Sequence, residues 1–157
     1  MIRYRKATLA DIPEMQAMVA EQVKEGVILP RSDDEVATNI RSYILAEAEG
    51  MIVGYGALHI HSPRLAEIRS LIVSPTWRCR GVGAGIVREA LREAEELGVE
   101  EVLVLTYVSD FFRQLGFHEI AKESIPEQKI WTDCIKCIHF PNCNESSLVY
   151  TVNPRRG

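Results

Sequence analysis

No run of this chain approaches the ~18 consecutive apolar residues that a membrane-spanning helix requires, so none is expected. Positive charge is not in excess either. With 18 Lys and Arg against 22 Asp and Glu, the formal net charge of -4 argues against nonspecific binding to nucleic acid or to an anionic membrane. The opening residues Arg3, Arg5 and Lys6 are basic but have no apolar segment behind them, which leaves no signal peptide and makes a cytoplasmic location the expectation. Without an export signal, the four cysteines are expected to stay reduced rather than bridged. Internal repeats and low-complexity tracts are lacking as well. The 157 residues are therefore expected to form a single domain, 1–157, large enough to bury a core without metal or disulfide support.

What is present reads as alternating strands and helices. Residues 2–6 alternate as a first strand. Thr8 with Asp11 forms a capping box that opens a helix, with Ile12, Met15, Met18 and Val19 on its apolar face, ending near Gly26. Val27, Ile28, Leu29 and Pro30 then make an apolar loop, and Ser32 with Glu35 is a second capping box for a helix through about Ser42. Residues 43–49 and 51–61 read as strands joined by a turn at Gly50, with Gly54 and Gly56 marking a bend or a close backbone approach. A fourth strand covers 66–73. Val82, Ile86, Val87, Ala90, Leu91, Ala94 and Leu97 recur at helical spacing, Gly98 suits a left-handed C-cap, and 99–106 follows as a buried strand, which completes a β-α-β unit. A short helix near 110–115 and strands near 117–123 and 147–152 complete an α/β domain.

The junction of the fourth strand and the long helix is Ser74-Pro75-Thr76-Trp77-Arg78-Cys79-Arg80-Gly81-Val82-Gly83-Ala84-Gly85. Gly81 and Gly83 lack a Cβ, so a diphosphate can approach the backbone there. The first-turn N–H groups of the helix have no intrahelical partner, and Arg78 and Arg80 add positive charge. Together with Ala66-Glu67-Ile68-Arg69-Ser70-Leu71-Ile72-Val73 before the turn and Phe111-Phe112-Arg113-Gln114-Leu115-Gly116-Phe117 after it, this stretch resembles the GNAT superfamily of N-acetyltransferases. The resemblance implies a mixed, centrally splayed β-sheet of about six to seven strands flanked by about four helices. It also implies an acetyl-CoA site, with the pyrophosphate on Arg78, Cys79, Arg80, Gly81, Val82, Gly83 and Ala84 and the pantetheine arm along Leu71, Ile72 and Val73.

Amine acetylation needs a base that keeps the incoming amine neutral. The resemblance places that base at Glu67, whose alternative is a pairing with Arg69 or another strand neighbour, while His59 and His61 are weaker candidates. Many members of the superfamily carry a tyrosine acid at the position of Phe112. Here either Tyr107 substitutes for it or solvent protonates the departing thiolate, which leaves readily near its own pKa of ~8.5. The combination of Gly26-Val27-Ile28-Leu29-Pro30-Arg31, Glu67-Ile68-Arg69-Ser70-Leu71, Leu105-Thr106-Tyr107 and Lys129-Ile130-Trp131-Thr132-Asp133-Cys134 is most similar to the short, stand-alone N-acetylglutamate synthases of arginine biosynthesis. That similarity implies transfer to the α-amine of L-glutamate. Two carboxylates need at least two cations, and Arg31, Arg69 and Lys136 are the candidates.

Cys134, Cys137 and Cys143, with His139 among them, leave two readings open: a zinc site that orders a long loop, or three partly buried thiols without metal. Other acceptors also stay open, among them another amino acid, a polyamine, an antibiotic or a protein N-terminus. So does a noncatalytic acyl-CoA sensor or zinc-bearing interaction module. A homodimer is compatible with all of these.

Overall fold

A computed structural model describes residues 1–121, 124 and 145–152. Seven strands form one open sheet in the order β1-β2-β3-β4-β5-β7-β6: β1 (Arg3–Lys6), β2 (Tyr43–Ala48), β3 (Met51–Ile60), β4 (Leu65–Val73), β5 (Glu101–Thr106), β6 (His118–Ile120) and β7 (Ser146–Thr151). Among the described residues four α-helices accompany them: α1 (Ile12–Lys24), α2 (Asp33–Thr38), α3 (Val82–Leu97) and α4 (Ser109–Gln114). The chain divides into two compact units, Met1–Leu58 with Ser70–Ala90, and His59–Arg69 with Leu91–Gly157.

In the first unit, β1, β2 and β3 pair antiparallel. The hairpin between β2 and β3 closes through Glu49 and Gly50, both in the left-handed region at φ 54° and 75°, as a tight two-residue turn demands. Asp11 accepts the Thr8 N–H at 2.7 Å, as the capping box requires, but the box opens a single 3₁₀ turn and α1 begins only at Ile12. Ser32 and Glu35 cap α2, which is shorter than its sequence suggests. A further 3₁₀ turn, Ile40–Ser42, carries the chain into β2. One face of this sheet packs Tyr43, Leu45, Tyr55 and Ala57 against Ile12, Met15 and Val19 of α1 and Val36 of α2. Each fully buried large side chain there, such as Met15 or Leu45, contributes roughly 1.5–3 kcal/mol.

Gly54 and Gly56 serve a close approach. A Cβ on Gly54 would lie 2.9 Å from Val82 Cγ1, and one on Gly56 would lie 2.9 Å from Ile86 Cγ2, so the first turns of α3 rest directly on the β3 backbone.

In the second unit, β4 and β5 are parallel through only three pairs, in which Leu65, Ala66 and Glu67 oppose Glu101, Val102 and Leu103. So short a ladder, between strands of nine and six residues, matches the splay that the resemblance implies. β7 lies antiparallel between β5 and β6. The C-terminus of α3 is a Schellman turn, with Gly98 at φ 87° and the Val99 N–H bonded to the Ala94 carbonyl. Val99 is buried by this turn whereas Leu97 is 60 % exposed, which removes Leu97 from the expected apolar stripe. Of the strand expected at 117–123, β6 takes up His118–Ile120, while Phe117 before it packs on Phe112 and Tyr150 and residues 122–123 lie outside the described residues.

Candidate active site

Helix α1, the α1–α2 loop, α2 and residues of β2, β3 and β4 line a cavity of about 270 Å³ within the first unit. Its wall is mostly apolar, from Met15, Val19, Ile28, Leu29, Val36 and Ile72. Gln16, Arg31, Tyr43, Tyr55 and Ser70 supply its polar groups. The loop is held in place from α1, since the Gln16 amide donates to the Arg31 carbonyl at 2.8 Å and to Asp33 at 3.1 Å. Arg31 Nη1 in turn donates to Ser70 Oγ at 2.5 Å and to the Tyr43 hydroxyl at 3.2 Å. Those two acceptors use both hydrogens of Nη1. Among the described residues Nε and Nη2 carry no partner, so one edge of the guanidinium remains as a two-donor fork of the kind that suits a carboxylate. Tyr43 and Tyr55 meet edge to face at 5.6 Å. Burial, with Tyr43 adding to it and Arg31 opposing, pushes the Tyr55 phenol up to about 12, so it is neutral at ordinary pH.

Ser70 is the unusual member of this group. It has φ 57° inside a strand, a left-handed backbone that costs a non-glycine residue about 1–2 kcal/mol. The sequence reading missed Ser70, Tyr43 and Tyr55. Period-two spacing could have placed Tyr43, Leu45, Tyr55 and Ala57 on one face, but no local pattern marks a serine that leaves the β region.

Beyond Ser70, β4 runs to the glycine-rich turn. A 3₁₀ turn, Pro75–Trp77, leads to Arg78, Cys79 and Arg80, all exposed. The Arg80 guanidinium lies 4.9 Å from the centre of the Trp77 ring, within cation–π range. Cys79 and Gly81 are both left-handed, at φ 63° and 83°, and the Gly85 N–H to Gly81 carbonyl bond of 3.0 Å starts α3. Space around the Cβ position of Gly81 is open, and its backbone angle is a second reason for glycine there. The turn offers open space, two exposed guanidinium groups and the start of a 16-residue helix, which together fit a polyanion. Leu71, Ile72 and Val73 are half-buried in the strand that leads to it.

In the second unit, Glu67 is 4 % exposed and its Oε1 lies 2.8 Å from His61 Nε2. Glu67 is thus a buried carboxylate paired with a histidine, where the alternative to its role as base had been the pairing of an exposed strand carboxylate with Arg69 or another strand neighbour. His61, one of the weaker candidates for the base, is its hydrogen-bond partner, and the His59 ring sits edge-on to His61 at 4.7 Å. Arg69 is half-buried and engaged by another group. Tyr107 is 68 % exposed and also engaged. Phe112 is 2 % exposed between Phe111 and Phe117, which makes its ring part of the core. Lys136, Cys134, Cys137, His139 and Cys143, and with them the zinc reading, lie outside the described residues.

Relatives share this architecture. The chain is 38% identical over 148 residues to an uncharacterized N-acetyltransferase of Chlorobaculum tepidum, across 94% of this chain and 95% of that one. It is 32% identical to an amino-acid acetyltransferase of Mycobacterium tuberculosis, across 74% of this chain and 68% of that one. Among solved structures, N-acetylglutamate synthase from Neisseria gonorrhoeae, complexed with coenzyme A and N-acetyl-glutamate, superposes with a TM-score of 0.81 at 24% identity. That likeness covers 98% of this chain but only 35% of the longer one, and it concerns the fold. The model of the acetyltransferase (GNAT) family matches residues 11–119, and the chain belongs to that family.

Proposed function

We propose that the protein transfers the acetyl group of acetyl-CoA to the α-amine of L-glutamate. The observation that carries this reading is the Arg31 fork, anchored through one nitrogen and open along its other edge, at the mouth of a small cavity. Along β4, Ser70 and Ile72 line that cavity, and the same strand continues into the turn of Arg78, Cys79, Arg80 and Gly81. Acceptor and donor sites are thus joined by a few residues of one strand. The relatives named amino-acid acetyltransferase and the neighbour solved with coenzyme A and N-acetyl-glutamate support the same direction.

In this mechanism the turn and the α3 N-terminus hold the diphosphate, and the backbone of residues 71–73 aligns the pantetheine arm. The thioester supplies an activated carbonyl. Arg31 binds one carboxylate of glutamate and so orients the amine, with Arg69 and Lys136 the candidates for the other. Glu67 accepts the amine proton as the N–C bond forms and the C–S bond breaks. Water protonates the thiolate, since Phe112 has no acidic hydrogen to give; Tyr107 is the alternative donor. A second reading, an amino acid with an apolar side chain as acceptor, is favoured by the wall of Met15, Val19, Val36 and Ile72.

An acceptor panel with thiol detection of released CoA separates the readings. Glutamate is expected to react at least about tenfold faster than glutamine, because an amide leaves one fork without its anion. Equal rates with glutamate, glutamine and lysine would refute a dicarboxylate site, and a preference for leucine or methionine would favour the second reading.

A further inference from the structure

We infer that Ser70 and Tyr43 are positioning residues that set acceptor specificity by fixing the direction of the Arg31 guanidinium. The inference rests on the reading of Arg31 as the carboxylate fork. Arg31 stands at the end of a loop, and its side chain is exposed. An arginine so placed would ordinarily sample many rotamers, and a carboxylate would have to order it on binding. Here Ser70 Oγ and the Tyr43 hydroxyl accept from the same nitrogen, Nη1, at 2.5 and 3.2 Å. Two acceptors on one nitrogen fix the plane of the guanidinium and leave the Nε–Nη2 edge for a ligand.

The supports are themselves fixed. Tyr43 is 3 % exposed, and its ring packs edge-on against Tyr55. Ser70 holds its hydroxyl on Arg31 from a left-handed backbone that a strand serine would normally avoid. Strain of this kind persists where the surroundings over-determine it, and here what it accompanies is the shortest contact to Arg31.

The test is steady-state kinetics with glutamate on Ser70→Ala, Ser70→Gly, Ser70→Asn, Tyr43→Phe and Arg31→Ala, each paired with acetyl-CoA affinity by calorimetry and a thermal melt. Ser70→Ala and Tyr43→Phe are each expected to raise the KM for glutamate about tenfold, the loss of one hydrogen bond to a charged group, with acetyl-CoA affinity within about twofold of wild type. Ser70→Gly relieves the backbone but removes the hydroxyl, so it should raise KM as alanine does while melting no lower than wild type. Ser70→Asn, which tolerates the left-handed region and offers a carbonyl acceptor, should restore much of the affinity. In the Arg31→Ala background, Ser70→Ala should add nothing to KM.

If Ser70→Gly leaves KM unchanged while Arg31→Ala raises it on the order of a hundredfold, the positioning role is overturned and the fork reading stands. Full additivity of Ser70→Ala and Arg31→Ala would also overturn it. If Arg31→Ala itself leaves KM unchanged, the fork reading fails, and this inference fails with it.

Discussion

Gly85 sits beneath the Tyr4 side chain, and a Cβ built on it would lie 1.8 Å from the Tyr4 hydroxyl and 2.2 Å from its Cζ. Burial raises the Tyr4 phenol above its ordinary value, against the opposing charge of Arg88 and with Glu89 adding to burial. Gly85→Ala should therefore lower stability by about 1–3 kcal/mol through overpacking. Thermal melts of Gly85→Ala, and of Gly85→Ala with Tyr4→Ala, check this: the second substitution should recover part of the loss. An unchanged melting temperature in the single variant would contradict the contact. Gly85 was visible in the sequence only as the last glycine of a motif. Its neighbour Tyr4 comes from the other end of the unit, and no spacing rule connects the two.

At the scale of elements, Arg5 of β1 holds two others. Its guanidinium donates to both carboxylate oxygens of Asp11 at 2.8 Å and to Glu47 of β2 at 2.9 Å. The hydrogen bonds from Arg5 hold the Asp11 carboxyl well below the usual range, with burial opposing and the Thr8 N–H and hydroxyl adding to the effect; Arg5 lowers Glu47 in the same way. Because these pKa values are lower folded than unfolded, the unfolded chain binds more protons as pH falls. Their stabilisation is complete above the unfolded carboxyl values of about 4 and is lost below them. Urea unfolding between about pH 6 and pH 3 should show stability falling with acid, and Asp11→Asn should flatten that slope. An equal slope in the variant would remove the latch from the acid response. The helices α1, α2 and α3 and the strands were legible because caps and periodicity are local. The latch was not, since 42 residues separate Arg5 from Glu47. For the same reason the contact of Glu67 with His61, across the β3–β4 connection, was not legible in the sequence.

At the scale of the whole molecule, the candidate donor site, from Leu71 to Ala84, could be named from the sequence because its residues are contiguous. Of the cavity proposed for the acceptor, only Arg31 could be named from the sequence, because its other polar groups converge from α1, β2, β3 and β4. If the turn is the acetyl-CoA site, ligand should raise the melting temperature by mass action, and Gly83→Val should abolish both that rise and the calorimetric signal while the protein stays folded. Unchanged affinity in Gly83→Val would remove the turn from the donor site. The notch that Gly54 and Gly56 cut into β3 bears on the same helix. Val82 and Ile86, the residues seated in the notch, belong to the turns of α3 that begin at the glycine-rich turn, so the fit between strand and helix also sets where that turn stands. Positions 54 and 56 therefore act as a seat for the helix: a side chain gained at either would press on α3 and shift the start of that helix, and the turn with it.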